Sequence, residues 1–365
     1  MKQKLVIIGA GLSGVEAASR LSSEYDVALL SEEQYLPYYR IRVGEVVTGL
    51  PPESLYIHPE SWYREKNIDL IFKKAERIDN SKKAVYLSDG SSIPYDILIL
   101  STGSYPFVPS FEGKHKALMT LRTMDDALKL RAALQKASSI VIVGGGVLGL
   151  EAAVSIKKEF QIDVSVIESA DYILSRMIDK DSALFLSSLL EKEGIKLITN
   201  GKVKDLASSS IILEDSTIDC DVVLFSTGVR ARVELCKAIG IEVDRGIVVD
   251  SYLKSNIDSI YALGDAAELR GKTFGQAQYA REMARSLLSG SAYVPSSPSS
   301  MLKVAGIDVA SFGVFRGIRH SIKGEDSLKS YFVEDGIVTG AVLINSRSEM
   351  AKAKAAIGKP FSNGD

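Results

Sequence analysis

The stretch that decides the fold runs from Lys4 to Glu32 and reads KLVIIGAGLSGVEAASRLSSEYDVALLSE. The apolar residues Leu5–Ile8 predict a strand, which runs into a Gly-x-Gly-x-x-Gly turn that begins at Gly9. A stretch with helical spacing follows, and Val27–Leu30 predict a second strand. This order indicates a β-α-β unit that binds a dinucleotide at its turn.

Each glycine of such a turn has a separate task. The first makes the tight turn, the second lets a pyrophosphate approach the backbone, and the third lets helix and strand pack closely. The phosphate then lies on the unpaired N–H groups at the helix N-terminus. One turn alone is weak evidence, because glycine-rich structural turns share the pattern.

The pattern occurs again from Ser139 to Glu168, where the chain reads SIVIVGGGVLGLEAAVSIKKEFQIDVSVIE. The repetition extends beyond the turns, since the apolar strand that ends at Gly103 is matched by one that ends at Gly228. Two copies, each with flanking strands and a spaced acidic residue, favour two dinucleotide sites over structural turns. We therefore expect an α/β fold with two Rossmann-like, three-layer dinucleotide-binding domains.

An acidic residue follows each glycine turn at the end of the second strand. Glu32 and Glu168 lie about 20 positions after their turns, where a carboxylate accepts hydrogen bonds from the adenosine ribose. A carboxylate at Glu168 repels the 2′-phosphate of NADPH, and no arginine follows it directly, since Ser169, Ala170 and Asp171 come next. The second site is therefore expected to prefer NADH over NADPH.

The remaining chain predicts one more strand and a small terminal domain. The strand Ser259–Leu263 stops before Asp265 and has no counterpart in the second copy. A helical pattern covers Gln276–Leu288, and the Ser/Pro-rich stretch Ser289–Ser300 is typical of a linker. Leu302–Asp365 is expected to form a separate small α+β domain.

Bulk composition excludes several classes of protein. The chain has 365 residues, enough for two or three domains, and a net charge of -2. A nucleic-acid binder would carry a basic excess, so no nucleic-acid partner is expected. No apolar run approaches the roughly 18 residues that span a bilayer, which argues against an integral membrane protein and leaves peripheral association open.

The two cysteines, Cys220 and Cys236, fit neither a metal knuckle nor a Cys-x-x-Cys redox pair. We expect small buried side chains with reduced thiols, a cytoplasmic location and no metal site. The sequence does not indicate an oligomeric state.

The chain resembles the flavoproteins of the pyridine-nucleotide oxidoreductase type, which carry two dinucleotide-binding domains. Within that family it is most similar to the NADH:rubredoxin reductases and to the flavin-binding part of assimilatory nitrite reductases. Besides the first glycine turn, the resemblance rests on Leu36–Tyr39, Ser101–Gly103, Thr120–Thr123, Gly144–Glu151, Ser226–Gly228, Tyr261–Asp265 and Leu302–Asp308.

The resemblance implies FAD at the first turn and NAD at the second, with the NAD domain inserted in the FAD domain. It implies an FAD-binding domain at residues 1–111 and 240–290, an NAD-binding domain at 112–239 and a small C-terminal domain at 300–365.

Individual residues take roles from the same resemblance. Asp265 would bond the ribityl chain of FAD, with a helix N-cap as the alternative, and the following helix would point its N-terminus at the flavin. Glu151 would lie between flavin and nicotinamide as the catalytic residue, or else face solvent. Gln276 and Lys303 would touch the flavin, although Lys303 is equally typical of a surface lysine. The backbone of Ala75 would meet the adenine.

One departure from the family concerns the residues after the Pro-Tyr element. Relatives often have Arg-Pro or Lys-Pro there, whereas this chain has Arg40-Ile41-Arg42. Arg40 keeps a positive charge where the FAD pyrophosphate is expected, but the lysine that relatives place near the flavin has no clear counterpart. We hypothesise that Arg42 replaces it; a solvated arginine is the alternative.

The cofactor-binding residues predicted in this way come from both turns and from the loops around them. They are Gly9, Ala10, Gly11, Leu12, Ser13, Gly14, Glu32, Glu33, Arg40, Arg42, Ala75, Thr102, Gly103, Gly144, Gly146, Gly149, Glu168, Gly228, Gly264, Asp265, Gln276 and Lys303.

Hydride transfer between the two cofactors needs no protein nucleophile. Disulfide-, peroxide- and oxygen-reducing relatives carry a cysteine near the first unit, and this chain has none before Cys220. Electrons are therefore expected to pass directly to an external acceptor, which the rubredoxin-reductase resemblance implies is a small iron protein, rubredoxin or ferredoxin. A quinone, oxygen or a small electrophile are alternatives, so a quinone reductase or an NADH oxidase stays open. A flavin-binding sensor of the NADH/NAD ratio with little turnover is an alternative of another class.

Overall fold

The computed structural model describes residues 2–296, 299–304 and 306–362. Its helices are α1 (Leu12–Leu21), α2 (Gly44–Val47), α3 (Glu60–Glu65), α4 (Met124–Leu134), α5 (Val147–Phe160), α6 (Lys180–Lys192), α7 (Glu234–Lys237), α8 (Ala277–Ser289) and α9 (Met350–Ala356). Its strands are β1 (Lys4–Ile8), β2 (Asp26–Leu30), β3 (Ile68–Ile71), β4 (Ala75–Asp79), β5 (Ala84–Leu87), β6 (Ser92–Pro94), β7 (Ile97–Leu100), β8 (Ser104–Pro106), β9 (Leu118–Thr120), β10 (Ser139–Val143), β11 (Asp163–Ile167), β12 (Ile195–Ile198), β13 (Val203–Ala207), β14 (Ser210–Leu213), β15 (Thr217–Asp219), β16 (Val222–Phe225), β17 (Val229–Ala231), β18 (Ile247–Val249), β19 (Ile260–Ala262), β20 (Ala267–Leu269), β21 (Lys272–Thr273), β22 (Ser299–Val304), β23 (Ile307–Gly313), β24 (Ile318–Lys323), β25 (Leu328–Glu334) and β26 (Ile337–Ile344).

The first β-α-β unit builds a parallel sheet with the strand order β19-β7-β1-β2-β3. Leu5–Ile8 of β1 and Val27–Leu30 of β2 are continuous, buried apolar runs, which is typical of parallel strands that are covered on both faces. Helices α1 and α8 pack against each other beside it. Strands β4, β5 and β6 form an antiparallel sheet of their own.

The second unit repeats this plan with the strand order β12-β11-β10-β16-β9, also parallel, and an antiparallel sheet of β13, β14 and β15. Its edge strand β9 occupies the place that β19 has in the first sheet. The sequence missed this equivalence because β9 precedes its glycine turn whereas β19 follows the whole insertion. The predicted α/β fold with two Rossmann-like domains is confirmed.

An antiparallel ribbon of β8 and β17 carries the chain into and out of the second unit. Phe111 already packs in the second unit, and Cys236 in the core of the first. The structure therefore crosses between the units a few residues before positions 112 and 240. The domain boundaries given above stay predictions.

The C-terminal residues form an antiparallel sheet with the strand order β22-β23-β26-β25-β24, and α9 packs on it. Val309 on β23 and Phe332 on β25 share an apolar core with the helices of the second unit. Arg319 on β24 forms ion pairs with Asp179 at 3.4 Å and with Asp181 at 3.0 Å, at the start of α6. The sheet is therefore fastened to the second unit by both apolar and charged contacts.

The stretch expected to be a linker, Ser289–Ser300, is only partly one. Ser289 ends α8, and the backbone of Ser299 already belongs to β22. Tyr293 is 3% exposed and packs edge-on against Phe274, with 6.1 Å between the ring centroids. The Ser/Pro-rich composition did not predict this packing, because a single buried aromatic ring, that of Tyr293, holds the segment.

Candidate functional site

The first glycine turn joins β1 to α1 and assigns a different task to each glycine. Gly9 has φ +109°, and a Cβ there would collide with the carbonyl oxygen of Ser101. A Cβ at Gly14 would collide with the carbonyl oxygen of Gly9, so helix and strand pack without a gap. A Cβ at Gly11 would meet nothing within 4 Å. Gly11 therefore leaves open space beside the start of the helix.

The second turn, between β10 and α5, repeats these contacts. Gly144 has φ +119° and lies against the carbonyl oxygen of Ser226, and Gly149 packs against Gly144. A Cβ at Gly146 would again meet nothing within 4 Å. Among the residues that the structure describes, no side chain caps the N-terminus of α1 or of α5. Both turns thus offer backbone N–H groups to an anion, which fits a dinucleotide pyrophosphate.

Both turns open into one cavity of about 2600 Å³. A typical pocket for one small ligand has roughly 300–1,000 Å³. The cavity is large enough to hold more than one such ligand, and both glycine turns border it. The predicted residues that line it are Gly9, Ala10, Gly11, Leu12, Ser13, Glu32, Glu33, Arg40, Arg42, Ala75, Thr102, Gly103, Gly144, Gly146, Glu151, Glu168, Gly228, Gly264, Asp265 and Gln276.

Three of the predicted cofactor-binding residues, Gly14, Gly149 and Lys303, are not among the described residues that line the cavity. Gly14 and Gly149 lie behind the turns, where each allows its helix to approach the strand. The side chain of Lys303 lies outside the described residues, so its predicted flavin contact stays a prediction.

The acidic residue of the first unit is held by a side chain. Arg232 donates from Nη1 to Oε1 of Glu32 at 2.9 Å. The two side chains are 35% and 43% exposed, so this pair lies at the rim of the cavity.

Glu33 has a different partner set from its neighbour. It accepts a hydrogen bond from the Tyr38 hydroxyl at 2.6 Å and pairs with Arg40 at 2.5 Å. Burial is the main cause that raises the pKa of the Tyr38 phenol. Arg40 also donates to the carbonyl oxygen of Arg122 at 2.9 Å. Glu33 therefore orients Arg40 toward the cavity.

Arg42 lines the cavity but pairs with Glu45 at 2.6 Å, with 42% of its side chain exposed. Its proposed replacement of the flavin lysine stays a hypothesis.

The acidic residue of the second unit is held by backbone amides. Gly145 N donates to Oε2 of Glu168 at 2.8 Å, and Ala170 N donates to Oε1 at 2.8 Å. The carboxylate is thus fixed at the end of β11, beside the glycine turn. Arg176 and Lys202 line the same cavity.

Asp265 lies in the short 3-10 turn Gly264–Ala266 that follows β19. Its Oδ2 accepts hydrogen bonds from Arg122 Nη2 at 2.6 Å and from Ser104 Oγ at 2.9 Å. Asp265 is not a helix N-cap, because α8 begins later and has Gln276 at its N-cap position. The strands β20 and β21 stand between Asp265 and α8, so the helix that faces the cavity with its N-terminus does not follow Asp265 directly.

Glu151 lies in the second turn of α5 and lines the cavity. Burial raises the pKa of its carboxyl group. This half-buried carboxyl is not a simple solvent-facing helix residue.

Sequence reasoning gave no role to Arg122, Ser104 or Arg232. Arg122 lies within the stretch Thr120–Thr123 that resembles the family, and this resemblance could have drawn attention to it. Its partner Asp265 is 143 positions away, so the sequence did not indicate the contact. Arg232 lies in no motif, so nothing in the sequence pointed to it.

Both cysteines are buried, Cys220 at 4% and Cys236 at 0% exposure. Burial is the main cause that raises the pKa of the Cys220 thiol to about 11 and that of Cys236 to about 12. Neither lines the cavity, and across the described ranges no cluster of three or more metal-ligating side chains occurs. Among those same residues, no helix combines the length and the apolar character that a membrane crossing requires.

Two family models match the chain. The model for pyridine nucleotide-disulphide oxidoreductases matches residues 3–284, and the model for the rubredoxin NAD+ reductase C-terminal domain matches residues 298–360.

Individual relatives agree with these matches. The NADH-rubredoxin oxidoreductase of Clostridium acetobutylicum is 31% identical over 99% of this chain and 96% of its own length. Its crystal structure superposes with a TM-score of 0.83, at 29% identity over 100% of this chain and 97% of that one. The nitrite reductase of Bacillus subtilis is 30% identical over 95% of this chain, which spans 46% of that protein.

A putidaredoxin reductase, in a covalent complex with putidaredoxin, superposes with a TM-score of 0.87, at 25% identity over 98% of this chain and 93% of that one. The family predicted from the motifs is thus confirmed: the chain belongs to the pyridine nucleotide-disulphide oxidoreductases, as a flavin- and NAD(H)-dependent oxidoreductase of the rubredoxin- and ferredoxin-reductase type.

Proposed function

We propose that this protein takes electrons from NADH and delivers them, with FAD as cofactor, to a small electron-carrier protein such as a rubredoxin or ferredoxin. The observation that carries the proposal is the single cavity into which both glycine turns open. When bound, FAD supplies the redox chemistry, since it accepts a hydride from a nicotinamide. The protein's own task is to bind and orient the two cofactors.

FAD is assigned to the first turn. Gly11 leaves room for its pyrophosphate, Arg40 supplies positive charge, Glu32 suits the adenosine ribose and Asp265 the ribityl hydroxyls. NAD is assigned to the second turn, with Glu151 in the shared cavity.

The preference for NADH over NADPH is proposed from Glu168. Two backbone amides fix its carboxylate, so it cannot easily move away from a 2′-phosphate. The cations Arg176 and Lys202 line the same cavity, and a comparison of the two coenzymes measures whether Glu168 outweighs them.

A protein acceptor is supported by three observations. No cysteine lies among the described residues of the cavity lining, which removes the internal acceptor that disulfide reductases use. The exposed apolar side chains Ile41 and Met301, 65% and 69% accessible, lie on that lining and suit contact with another protein. The chain is similar to an NADH-rubredoxin oxidoreductase and to a putidaredoxin reductase whose structure holds putidaredoxin in a covalent complex.

Stopped-flow absorbance tests this proposal. We expect a yellow protein that NADH bleaches faster than NADPH, and that rubredoxin reoxidises faster than air does. Faster reoxidation by air or by a quinone would favour an oxidase or a quinone reductase. Slow turnover with every acceptor, together with a redox-dependent change of shape, would favour the sensor. A colourless protein that binds no FAD would contradict the proposal altogether.

A further inference from the structure

Arg232 approaches the cavity from the segment that returns from the second unit. It directly follows β17, and its side chain pairs with Glu32 across the rim at 2.9 Å. The two residues are 200 positions apart in the chain. This contact joins the acidic residue of the first unit to the exit of the inserted one.

Two hydrogen bonds hold the backbone of Arg232. Its N–H donates to the carbonyl oxygen of Gly103 at 2.9 Å, and its carbonyl oxygen accepts a hydrogen bond from Thr102 Oγ1 at 2.8 Å. Thr102 and Gly103 line the cavity beside the first glycine turn. The backbone position of Arg232 is therefore set by the Thr102–Gly103 segment, which lines the cavity beside the first glycine turn.

The charges at this rim favour a cation once a pyrophosphate is bound. A carboxylate at Glu32 and a pyrophosphate beside Gly11 repel each other unless a positive group lies between them. Arg40 supplies positive charge to the same site, but its side-chain partners are Glu33 and the carbonyl oxygen of Arg122 rather than Glu32. Arg232 carries five N–H donors in a planar group, so it can pair with Glu32 and still face a phosphate or a ribose.

We infer that Arg232 is a binding residue for the adenosine diphosphate half of FAD, which it retains by orienting Glu32 and by facing the cofactor's negative charge. The inference rests on the proposed position of FAD at the first turn. It makes FAD retention depend on the ribbon of β8 and β17, because that ribbon carries the arginine to the rim.

The rate of FAD release tests the inference. FAD fluorescence after dilution of the holoprotein is compared for wild type, Arg232→Ala, Arg232→Lys and Arg230→Ala. Arg230 is the matched control, because it lies on the same ribbon, is exposed and packs over the Phe107 ring rather than lining the cavity. We expect Arg232→Ala to release FAD about tenfold faster, which at an unchanged association rate corresponds to about 1.4 kcal/mol of binding free energy. Arg232→Lys should lie between, and Arg230→Ala should match wild type.

A second variant separates binding from folding. Glu32→Gln should weaken FAD binding less in the Arg232→Ala background than in wild type, because paired residues are not additive. The thermal midpoint of the FAD-free protein should be the same with and without Arg232→Ala. Three results would overturn the inference. They are a thermal midpoint that Arg232→Ala lowers as much in the FAD-free protein as in the holoprotein, additive losses of FAD affinity in the double variant, and wild-type FAD release from Arg232→Ala. A wild-type protein that binds no FAD would instead contradict the proposed function.

Discussion

The two β-α-β units share strand, turn and helix, and differ in how each holds its acidic residue. Glu168 of the second unit is fixed by backbone amides of its own unit, at Gly145 and Ala170. Glu32 of the first unit is fixed by Arg232, which the returning ribbon supplies. The position of the second carboxylate is therefore set within one unit. The first depends on how the two units are joined.

The largest expected effect separates the glycines that shape the fold from those that face the cofactor. Gly14→Ala should lower the free energy of unfolding by about 3 kcal/mol, because the new Cβ meets the backbone oxygen of Gly9. Gly149→Ala should do the same in the second unit. Denaturant titration of the FAD-free protein measures both, with Gly11→Ala as the control whose Cβ meets nothing within 4 Å. Unfolding of Gly14→Ala at the wild-type denaturant concentration would contradict the packing role.

The next effect separates the two cofactors. Gly11→Ala should weaken FAD binding by about tenfold or more, because the methyl group occupies space meant for the pyrophosphate. Gly146→Ala should leave FAD bound and raise the KM for NADH by about the same factor. Flavin absorbance and steady-state kinetics distinguish the two. The assignment of one cofactor to each unit would be wrong if both variants lost only FAD.

A smaller effect concerns coenzyme choice. Glu168→Ser removes the fixed carboxylate, so the ratio of kcat/KM for NADH over NADPH should fall about tenfold, or about 1.4 kcal/mol. The matched variant Glu32→Ser, assayed with excess FAD, should leave that ratio unchanged because it belongs to the other unit. An unchanged ratio in Glu168→Ser would assign the preference to other residues, such as Arg176 or Lys202.

The smallest effect is on stability as a function of pH. Burial raises the pKa of Glu151 in the folded protein above the usual value of about 4.3. The folded protein therefore bears no penalty for Glu151 at low pH, where the carboxyl is protonated. It loses stability as the pH rises through the raised pKa, because the buried carboxyl must then ionise. Glu151→Gln carries no such penalty, so its stability relative to wild type should increase over that range. Denaturant titrations at a series of pH values, from below the usual pKa of a glutamate upward, measure this difference. A difference that stays constant with pH would contradict the burial of Glu151.

Local patterns in the sequence were sufficient for the parts of the site that lie close together in the chain. The glycine turns and the acids Glu32 and Glu168 follow from spacing within about 30 residues. Short strands such as β9 were missed, because three residues carry too little periodicity to recognise.

Long-range polar contacts could not be predicted from the sequence, for a different reason. The bond from Arg122 to Asp265 and the pair of Arg232 with Glu32 join positions that only the inserted fold brings together. No pattern along one chain reports such a meeting. Tyr293 illustrates the same limit for packing, since its pocket is formed by Phe274 and by residues distant in sequence.

The ribbon of β8 and β17 also bears on how this architecture can be rearranged. Pro106 and Val229 are register partners, so the ends of the inserted unit lie side by side. An insertion with adjoining ends can be exchanged as a cassette without rerouting the host sheet. The C-terminal sheet limits that freedom, because Val309 and Phe332 complete the core of the inserted unit. A nicotinamide domain grafted from a relative would have to bring its own C-terminal sheet and its own residue at the position of Arg232.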